Sequence, residues 1–526
     1  MLLGYIIFFA ALLASFSVNF IHYMHMFQLN SYSAKEQAHW TRVNIGNVLL
    51  RHLFPFLAIV YAAVFCIVLR PDNGVQLSDL LICAGLMLLG LIFCKPKKAK
   101  KKLVFTKRVI RMCVTTVIIY GAVCALSTIF LYYSGIHLTL LCLWQIFSLF
   151  MPVIANFINM PIEKGINRYY INDAKRIIDG LPNTTVIGIT GSYGKTSTKF
   201  YLEKLLSAKY NVLMTPESYN TTMGVVKTIR GSLNATHEIF LCEMGAKGVG
   251  EIKEICDIVH PKHSIITSIG EQHLESFGSI ENIIKTKFEI ADCITDGIVF
   301  LNYDNEFIRN HSTDKKKVTY GMYGENYDYY AKDITVSEKG TTFTVCHGNE
   351  QKTFTTKLLS EHHVQNIVGA IAVAHTLGVS FDELVFPVKR LEPAPHRLEV
   401  LDKGNGVTII DDAFNSNPAG ARAALTVLSK FEGLRIVATP GMIELGEREY
   451  QLNKELGEAA ADCCDIAILV GERQAPPIKE GLLAKKFPEN RIIVAKDLNE
   501  AMNTAYSIQP GRKRVILLEN DLPDNF

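Results

Sequence analysis

Residues 185–197 read TVIGITGSYGKTS. The first six are β-branched or glycine and carry no charge, which suits a short strand buried on both faces of a parallel sheet. A turn through Gly191, Ser192, Tyr193 and Gly194 follows, and the sequence from about Lys195 to Lys209 predicts a helix. Strand, glycine turn and helix in this order make a cradle for an anion. The glycines let backbone N–H groups point inward, and the helix N-terminus adds partial positive charge. Lys195 would pair with the β- and γ-phosphates of a nucleotide, and Thr196 would offer its hydroxyl to Mg2+. The nucleotide-binding set is therefore Gly191, Ser192, Tyr193, Gly194, Lys195, Thr196 and Ser197. The longer phosphate-loop pattern places four residues between its glycines, whereas only Ser192 and Tyr193 stand here. An ordinary tight turn with a solvated lysine is the competing reading.

Downstream, further buried-strand patterns occur at Glu238–Met244, Ser264–Ile269 and Gly297–Asn302, with helical stretches between them. That alternation predicts a doubly wound parallel sheet. Over 328–358 the pattern changes to short alternating runs that predict a small meander, and a helix is expected at Val364–Leu377. Glu392–Pro395, with two prolines, reads as a linker. A second alternating series has strands near 407–412, 434–439, 465–470, 491–495 and 513–518. The predicted fold class is multi-domain: an N-terminal α-helical membrane bundle, an α/β phosphate-loop domain over 181–391, and a smaller Rossmann-like α/β domain over 396–526. Two α/β domains that meet at a linker form a cleft, the usual place for a ligand.

The 526 residues carry 54 basic and 51 acidic side chains, a net charge of +3, which argues against a protein that coats nucleic acid. With 49% apolar and 20% charged residues, disorder is not the main theme. Residues 2–21 are apolar and uncharged, about the length that crosses a bilayer. Further candidate spans are 53–69, 77–93, 112–133 and 138–158, which makes 1–160 a transmembrane region of about five helices. A signal peptide is the alternative for the first. An amphipathic linker helix is expected over 161–180, its clearest stretch being Asn167–Asp179.

The stretch from Lys95 to Arg111 holds nine basic residues and no acid, which assigns that loop to the cytoplasm. Five spans then put the N-terminus outside and the catalytic domains inside, on the plasma membrane. The bundle is expected to be a simple anchor, with a lipid- or substrate-binding bundle as the alternative; Arg51 and Asp79 are expected to snorkel. The twelve cysteines divide six and six around residue 150 without a C-x-x-C, so neither a disulfide framework nor a cysteine metal site is visible.

GITGSYGKTSTK at 188–199 resembles the ATP loop of the Mur ligase family, which builds the peptide stem of peptidoglycan. LCEMGAKGVGEI, IITSIGEQHLESFGSIENIIKTKFEI, LNYDN, DDAFNSNP and GMIELGE follow in the family's order and look most like its D-alanyl-D-alanine-adding branch. The resemblance implies an ATP-dependent ligase that phosphorylates a carboxylate and joins it to an amine, an amino acid or dipeptide, with ATP and two Mg2+ ions. The partners implied are a cell-wall-precursor carboxylate, the amine and membrane lipid, without nucleic acid; the oligomeric state stays open.

Glu243 ends a buried apolar strand, where a carboxylate can hold Mg2+ beside Thr196. His273 is implied as a further Mg2+ ligand. Lys287 is implied as a carbamylated lysine that also ligates metal, and Lys285, two residues away, points to a different part of the helix. Asn302 and Asp304 match an adenine-side contact. Asn220, Thr221 and Thr222 match a polar loop near phosphate and substrate. Asn366 and His362 match a nucleotide-contacting pattern whose remaining position is His363 instead of asparagine. Arg397 resembles an arginine that reaches phosphate from the domain junction, and Asp412 matches an aspartate that orients the amine or touches nucleotide. Asn415 and Asn417 share its loop, with helix capping as their plainer role. Lys195, His273, Lys287, Arg397 and Asp412 form the expected catalytic set.

The sequence departs from the family at Gly441, Asn453 and Leu518–Asp521, where the amine would dock, and membrane spans stand in place of a UDP-sugar domain. The same chemistry on a lipid-linked or polymeric, polyglutamate-like acceptor is therefore an alternative. A nucleotide-gated membrane scaffold or transporter is an alternative of another class.

Overall fold

The computed structural model describes residues 1–64, 75–93, 101–131, 135–217, 219–272, 274–337, 340–413, 416–443, 445–509 and 511–521. It divides into two compact units, Met1–Arg168 and Tyr169–Leu522. The boundary falls inside one long helix, Met151–Asp179. From Tyr169 onward that helix is part of the second unit, where Ala174 is fully buried and Tyr170, Ile171, Ile177 and Ile178 pack on the core. Arg230 holds its Asp173 at 2.7 Å. The expected linker helix is thus the C-terminal half of a longer element.

The second unit contains two sheets among the described residues. The first is built from β1 (Thr185–Thr190), β2 (Val212–Met214), β3 (Ile239–Glu243), β4 (His263–Ile266), β5 (Val299–Asn302), β6 (Lys317–Gly321), β7 (Tyr329–Ser337), β8 (Gly340–His347) and β9 (Glu350–Thr356). Their spatial order is β2-β3-β1-β4-β5-β6-β7-β8-β9. Pairing is parallel from β2 to β7 and antiparallel from β7 to β9. The expected meander exists, but it extends the parallel sheet instead of standing apart. Helix Lys195–Leu206 and helix Glu361–Thr376 cover one face with Leu202, Leu205, Ile367 and Ile371; helices Glu251–Val259 and Ile280–Asp292 cover the other with Ile255, Ile283 and Ile290.

The second sheet comprises β10 (Glu399–Asp402), β11 (Val407–Asp412), β12 (Leu434–Thr439), β13 (Ile466–Val470), β14 (Ile492–Ala495) and β15 (Arg514–Glu519), in the order β10-β11-β15-β12-β13-β14. Only β10 runs antiparallel. Because β11, β15 and β12 are parallel neighbours, Asp412, Glu519 and Thr439 come together at their C-terminal ends, the edge at which open α/β sheets bind ligands.

In the first unit, helices Leu2–Leu29, Ile45–Ala63 and Lys107–Ile129 are long and apolar enough to cross a membrane. Ile136–Leu149 and Met151–Asp179 pass that test only as a pair bent by 71°, and Leu77–Ile92 is shorter. All five expected segments fall on helices, but three to four of them meet the full length criterion. Parts of the 53–69 segment and of the lysine run lie outside the described residues. Asp79 does not snorkel: it is buried at the start of helix Leu77–Phe93, where it accepts from Tyr61 Oη and the Gln76 amide, both at 2.9 Å.

Candidate functional site

β1 is an interior strand of the parallel region, flanked by β3 and β4. The turn after it is pinned by the end of β4. Ser192 N donates to Ser268 O at 2.6 Å, Tyr193 N donates to Ser268 Oγ at 3.0 Å, and Thr267 Oγ1 donates to Tyr193 O at 2.5 Å. Gly191 and Gly194 have φ of 152° and 80°. A Cβ on Gly191 would sit 2.1 Å from Thr267 Oγ1, and one on Gly194 would sit 2.6 Å from Asn366 Oδ1. Both glycines are therefore demanded by backbone sign and by space. The second contact also places Asn366 directly against the phosphate loop. Lys195 Nζ lies across the loop and donates to Gly191 O at 2.6 Å and Ser192 O at 3.0 Å.

Glu243, at the end of β3, is fully buried. Its Oε1 accepts from Thr196 Oγ1 at 3.1 Å and from Asn220 Nδ2 at 3.0 Å. Its Oε2 faces Lys199 Nζ at 3.0 Å, an ion pair with both side chains fully buried. A carboxylate and a hydroxyl converging on one point is a hard-oxygen donor set that fits Mg2+. Lys287 is buried on helix Ile280–Asp292, whereas Lys285 is exposed, so the helix itself selects between them. Burial, together with the positive charge of Lys195, holds the Lys287 amine well below the usual lysine range. Burial and Arg397 likewise push Lys195 down to about 8, against the opposing pull of Glu243.

Arg397 belongs to the linker before β10, between His396 and Leu398, which have φ of 58° and 51°. Two contacts hold that strained segment: His396 Nδ1 to Asp411 Oδ2 at 2.8 Å, and Leu398 N to Asp412 Oδ1 at 3.1 Å. Arg397 lies within Coulombic range of Lys195, Glu243, Asp412 and Glu519. The second unit therefore gathers Lys195, Thr196, Glu243, Lys287, Asn366, Arg397 and Asp412 around the phosphate loop. Lys195 and Arg397 beside the buried Glu243 carboxylate suit a polyphosphate bound with a divalent ion. Asn302 is buried one strand away, where its amide donates to Thr267 O at 2.6 Å and accepts from Asp304 N at 3.2 Å. His273 and Asn415 lie outside the described residues; Asn417 caps helix Pro418–Ser429.

Comparison with known proteins bears on this arrangement directly. The Mur ligase middle domain matches residues 189–374, and the Mur ligase glutamate ligase domain matches 396–519. UDP-N-acetylmuramoyl-tripeptide–D-alanyl-D-alanine ligase of Bacillus subtilis is 33% identical over 326 residues, covering 61% of this chain and 70% of the relative. The chain belongs to the Mur ligase family. The Escherichia coli enzyme of the same name is 29% identical, covering 55% of this chain and 65% of its own length. Among solved structures, MurF from Acinetobacter baumannii superposes with a TM-score of 0.61 at 27% identity, covering 68% of this chain and 77% of that one. MurF from Thermotoga maritima in complex with ADP gives 0.60 at 28%, covering 68% and 80%. As a Mur ligase, the chain is an ATP-dependent enzyme that forms C–N bonds. Residues 1–168 lie outside both family matches.

Of the positions expected to depart from the family pattern, Gly441, Asn453 and Asn520 contact one another, whereas His363 lies elsewhere. His363 faces the core, not the loop, and its Nδ1 pairs with Tyr201 Oη at 2.7 Å. Gly441 has φ of 80°, and a Cβ there would lie 2.6 Å from Gln474 Cβ and 2.7 Å from Asn453 Oδ1. Asn453 is fully buried and clamps the same turn, accepting from Met442 N at 2.8 Å and donating to Met442 O at 2.9 Å. Asn520 Nδ2 donates to Gly441 O at 2.6 Å, and its Oδ1 accepts from Ser416 N at 3.1 Å. Gly441, Asn453 and Asn520 are thus one hydrogen-bonded unit at the C-terminal ends of β12 and β15.

Beside it, buried Glu519 accepts from Ser416 Oγ and faces Asp412. Burial pushes Asp412 up to about 6, against the opposing pull of Arg397 and of its hydrogen bond with Glu519; burial and the Asp412 charge together push Glu519 well above the carboxylate range. Sequence reasoning missed Lys199 and Glu519 as members of the site. The signal for Glu519 was its place in the divergent Leu518–Asp521 stretch; Lys199 gave none beyond standing one helical turn after Lys195.

Proposed function

We propose that this Mur ligase adds D-alanyl-D-alanine to a peptidoglycan-precursor peptide through an acyl phosphate. The observation that carries the reading is the convergence of Lys195, Thr196, Glu243, Lys287 and Arg397 on one phosphate loop. A carboxylate does not condense with an amine in water because its oxygen is a poor leaving group. In the proposed reaction an acceptor carboxylate oxygen attacks the γ-phosphorus of ATP and ADP departs. The amine nitrogen then attacks the acyl carbon, inorganic phosphate leaves with the former carboxylate oxygen, and the nitrogen loses a proton. Lys195 and Arg397 hold the transferring phosphoryl group, and the buried walls exclude water from the acyl phosphate.

Thr196 and Glu243 would hold Mg2+, which supplies charge neutralisation of the phosphates. A second ion would need another ligand, and Lys287 becomes one by carbamylation: its neutral amine adds CO2, losing one proton and gaining two oxygens. The low basicity of buried Lys287 favours the neutral form that this addition requires. The basic loop, including the described Lys101, Lys102, Lys107, Arg108 and Arg111, supports a cytoplasmic catalytic unit on a multi-pass anchor of five helices. The membrane-type helices in residues 1–168 favour a second reading of the acceptor, the same chemistry on a lipid-linked or polymeric carboxylate.

The test is oxygen transfer. An acceptor carrying 18O in its carboxylate is turned over with ATP and D-alanyl-D-alanine. The proposal expects one 18O in each phosphate released; unlabelled phosphate would refute the acyl-phosphate route.

A further inference from the structure

The first unit has a polar interior that a plain anchor does not need. Helices Leu2–Leu29 and Ile45–Ala63 meet where Tyr23 stacks on His52 with ring centroids 5.7 Å apart and planes within 4°. Their Oη and Nε2 are 3.0 Å apart. Trp40 closes this cluster, edge-on to Tyr23 at 6.4 Å and to His22 at 6.0 Å. His52 is 8% exposed, and its Nδ1 has no hydrogen-bond partner. Arg51 is next in sequence and lies within Coulombic range of both His22 and His52. Its Nη1 is buried and has no acceptor.

A guanidinium can only donate and keeps its charge. An ionisable group within membrane-type helices and without a counter-charge marks a binding function by default. The nearby charges do not compensate it. Residues 1–160 contain thirteen basic side chains and only three acids, Glu36, Asp72 and Asp79. Glu36 is exposed in the first turn of helix Ala34–Val43, Asp79 is capped by Tyr61 and Gln76, and Asp72 lies outside the described residues. Leu49, Leu50 and Leu53, which bracket Arg51 in the helix, are 64%, 51% and 43% exposed. A cation without a counter-charge among the described residues, flanked by an open apolar surface, is the chemistry that recognises an anionic head group on a hydrocarbon chain.

We propose that Arg51 and His52, with Tyr23 and Trp40 as the wall, bind the phosphate of a lipid carried in the membrane. This rests on the reading of Leu2–Leu29 and Ile45–Ala63 as membrane spans. It gives the proposed ligase an acceptor class, a carboxylate on a lipid phosphate or pyrophosphate carrier. Arg51 supplies the charge, His52 Nδ1 a further polar contact, and Leu49, Leu50 and Leu53 the surface for the chain.

The full-length protein in detergent micelles provides its own reporter, because Trp40 and Trp144 are the only tryptophans. Titration with farnesyl pyrophosphate is expected to change tryptophan emission saturably. Farnesol, which lacks the phosphates, and inorganic pyrophosphate, which lacks the chain, should each compete at least tenfold less well. Arg51→Gln should weaken farnesyl pyrophosphate binding at least tenfold, and Arg51→Lys should fall between the two. ADP binding should be unchanged in both variants. Competition by farnesol equal to that of farnesyl pyrophosphate would overturn the phosphate site, as would undiminished binding by Arg51→Gln. Equal competition by inorganic pyrophosphate would overturn the lipid assignment. The competition arms use the unmodified chain and so stand even if a variant fails to fold. ADP binding reports separately on the ligase reading, whichever way the lipid result falls.

Discussion

Glu243 shows how one buried carboxylate organises the site. It is shared by Thr196, Asn220 and Lys199, and the last of these is its only fully buried cationic partner among the described residues. Removing one member of a buried ion pair leaves the other charged and unsolvated, at a cost of about 3–5 kcal/mol. Lys199→Met should therefore lower the unfolding free energy by about that amount in denaturant titrations, far more than exposed Lys285→Met. Lys287→Ala should reduce kcat by about 10²–10³, the scale for losing one charge-stabilising group, while ADP binding measured by calorimetry is retained. Asp412 and Glu519 act in the opposite sense from most carboxylates. Their folded pKa values are raised, so the folded chain binds more protons than the unfolded chain, for Asp412 between about pH 4 and 6 and for Glu519 from the ordinary carboxylate range upward. Their contribution to stability is present below those windows and is lost as pH rises through them. Glu519→Gln should raise the melting temperature at pH 8 and change it little at pH 4.5; an equal effect at both would refute the coupled pair. The places of Thr196 and Glu243 beside each other were legible because a strand followed by a glycine turn and a strand-end carboxylate are patterns the sequence displays. Lys199 was not, because a lysine within a helix carries no local sign that it turns inward to a strand-end carboxylate.

At the level of elements, the sequence's apolar runs located the strands well, but their ends depended on side-chain contacts. The run predicted as Ser264–Ile269 pairs only as His263–Ile266, because Thr267 and Ser268 turn to bond the phosphate loop. Alternation over 328–358 disclosed β7, β8 and β9. It could not disclose that β7 also pairs with β6, since pairing between distant strands leaves no periodic trace. The Pro440–Met442 turn is a further case: Gly441, Asn453 and Asn520 read singly as losses of family residues, yet they satisfy one another. Asn453→Ala would strand the buried Met442 amide and carbonyl, and such unsatisfied groups cost about 1–3 kcal/mol each. With two groups stranded, urea unfolding should show a loss of about 2–6 kcal/mol. A loss near zero would mean that the turn is held by other contacts.

For the whole molecule, charge and hydropathy divided the chain into a membrane-type part and a catalytic part. Among the described residues three helices reach the full length singly and a fourth only as a pair bent by 71°, while Leu77–Ile92 is shorter. A chain with these helices should remain in the membrane pellet after a wash with carbonate at high pH; release into the supernatant would contradict the anchor. The central claim concerns the catalytic part, and ADP formation by the purified full-length protein tests it most directly. The account predicts that ADP appears when ATP, Mg2+, a muramoyl-tripeptide acceptor and D-alanyl-D-alanine are all present, and stops when either the acceptor or the amine is withheld. ADP formation at an undiminished rate without the amine and without the acceptor would contradict it.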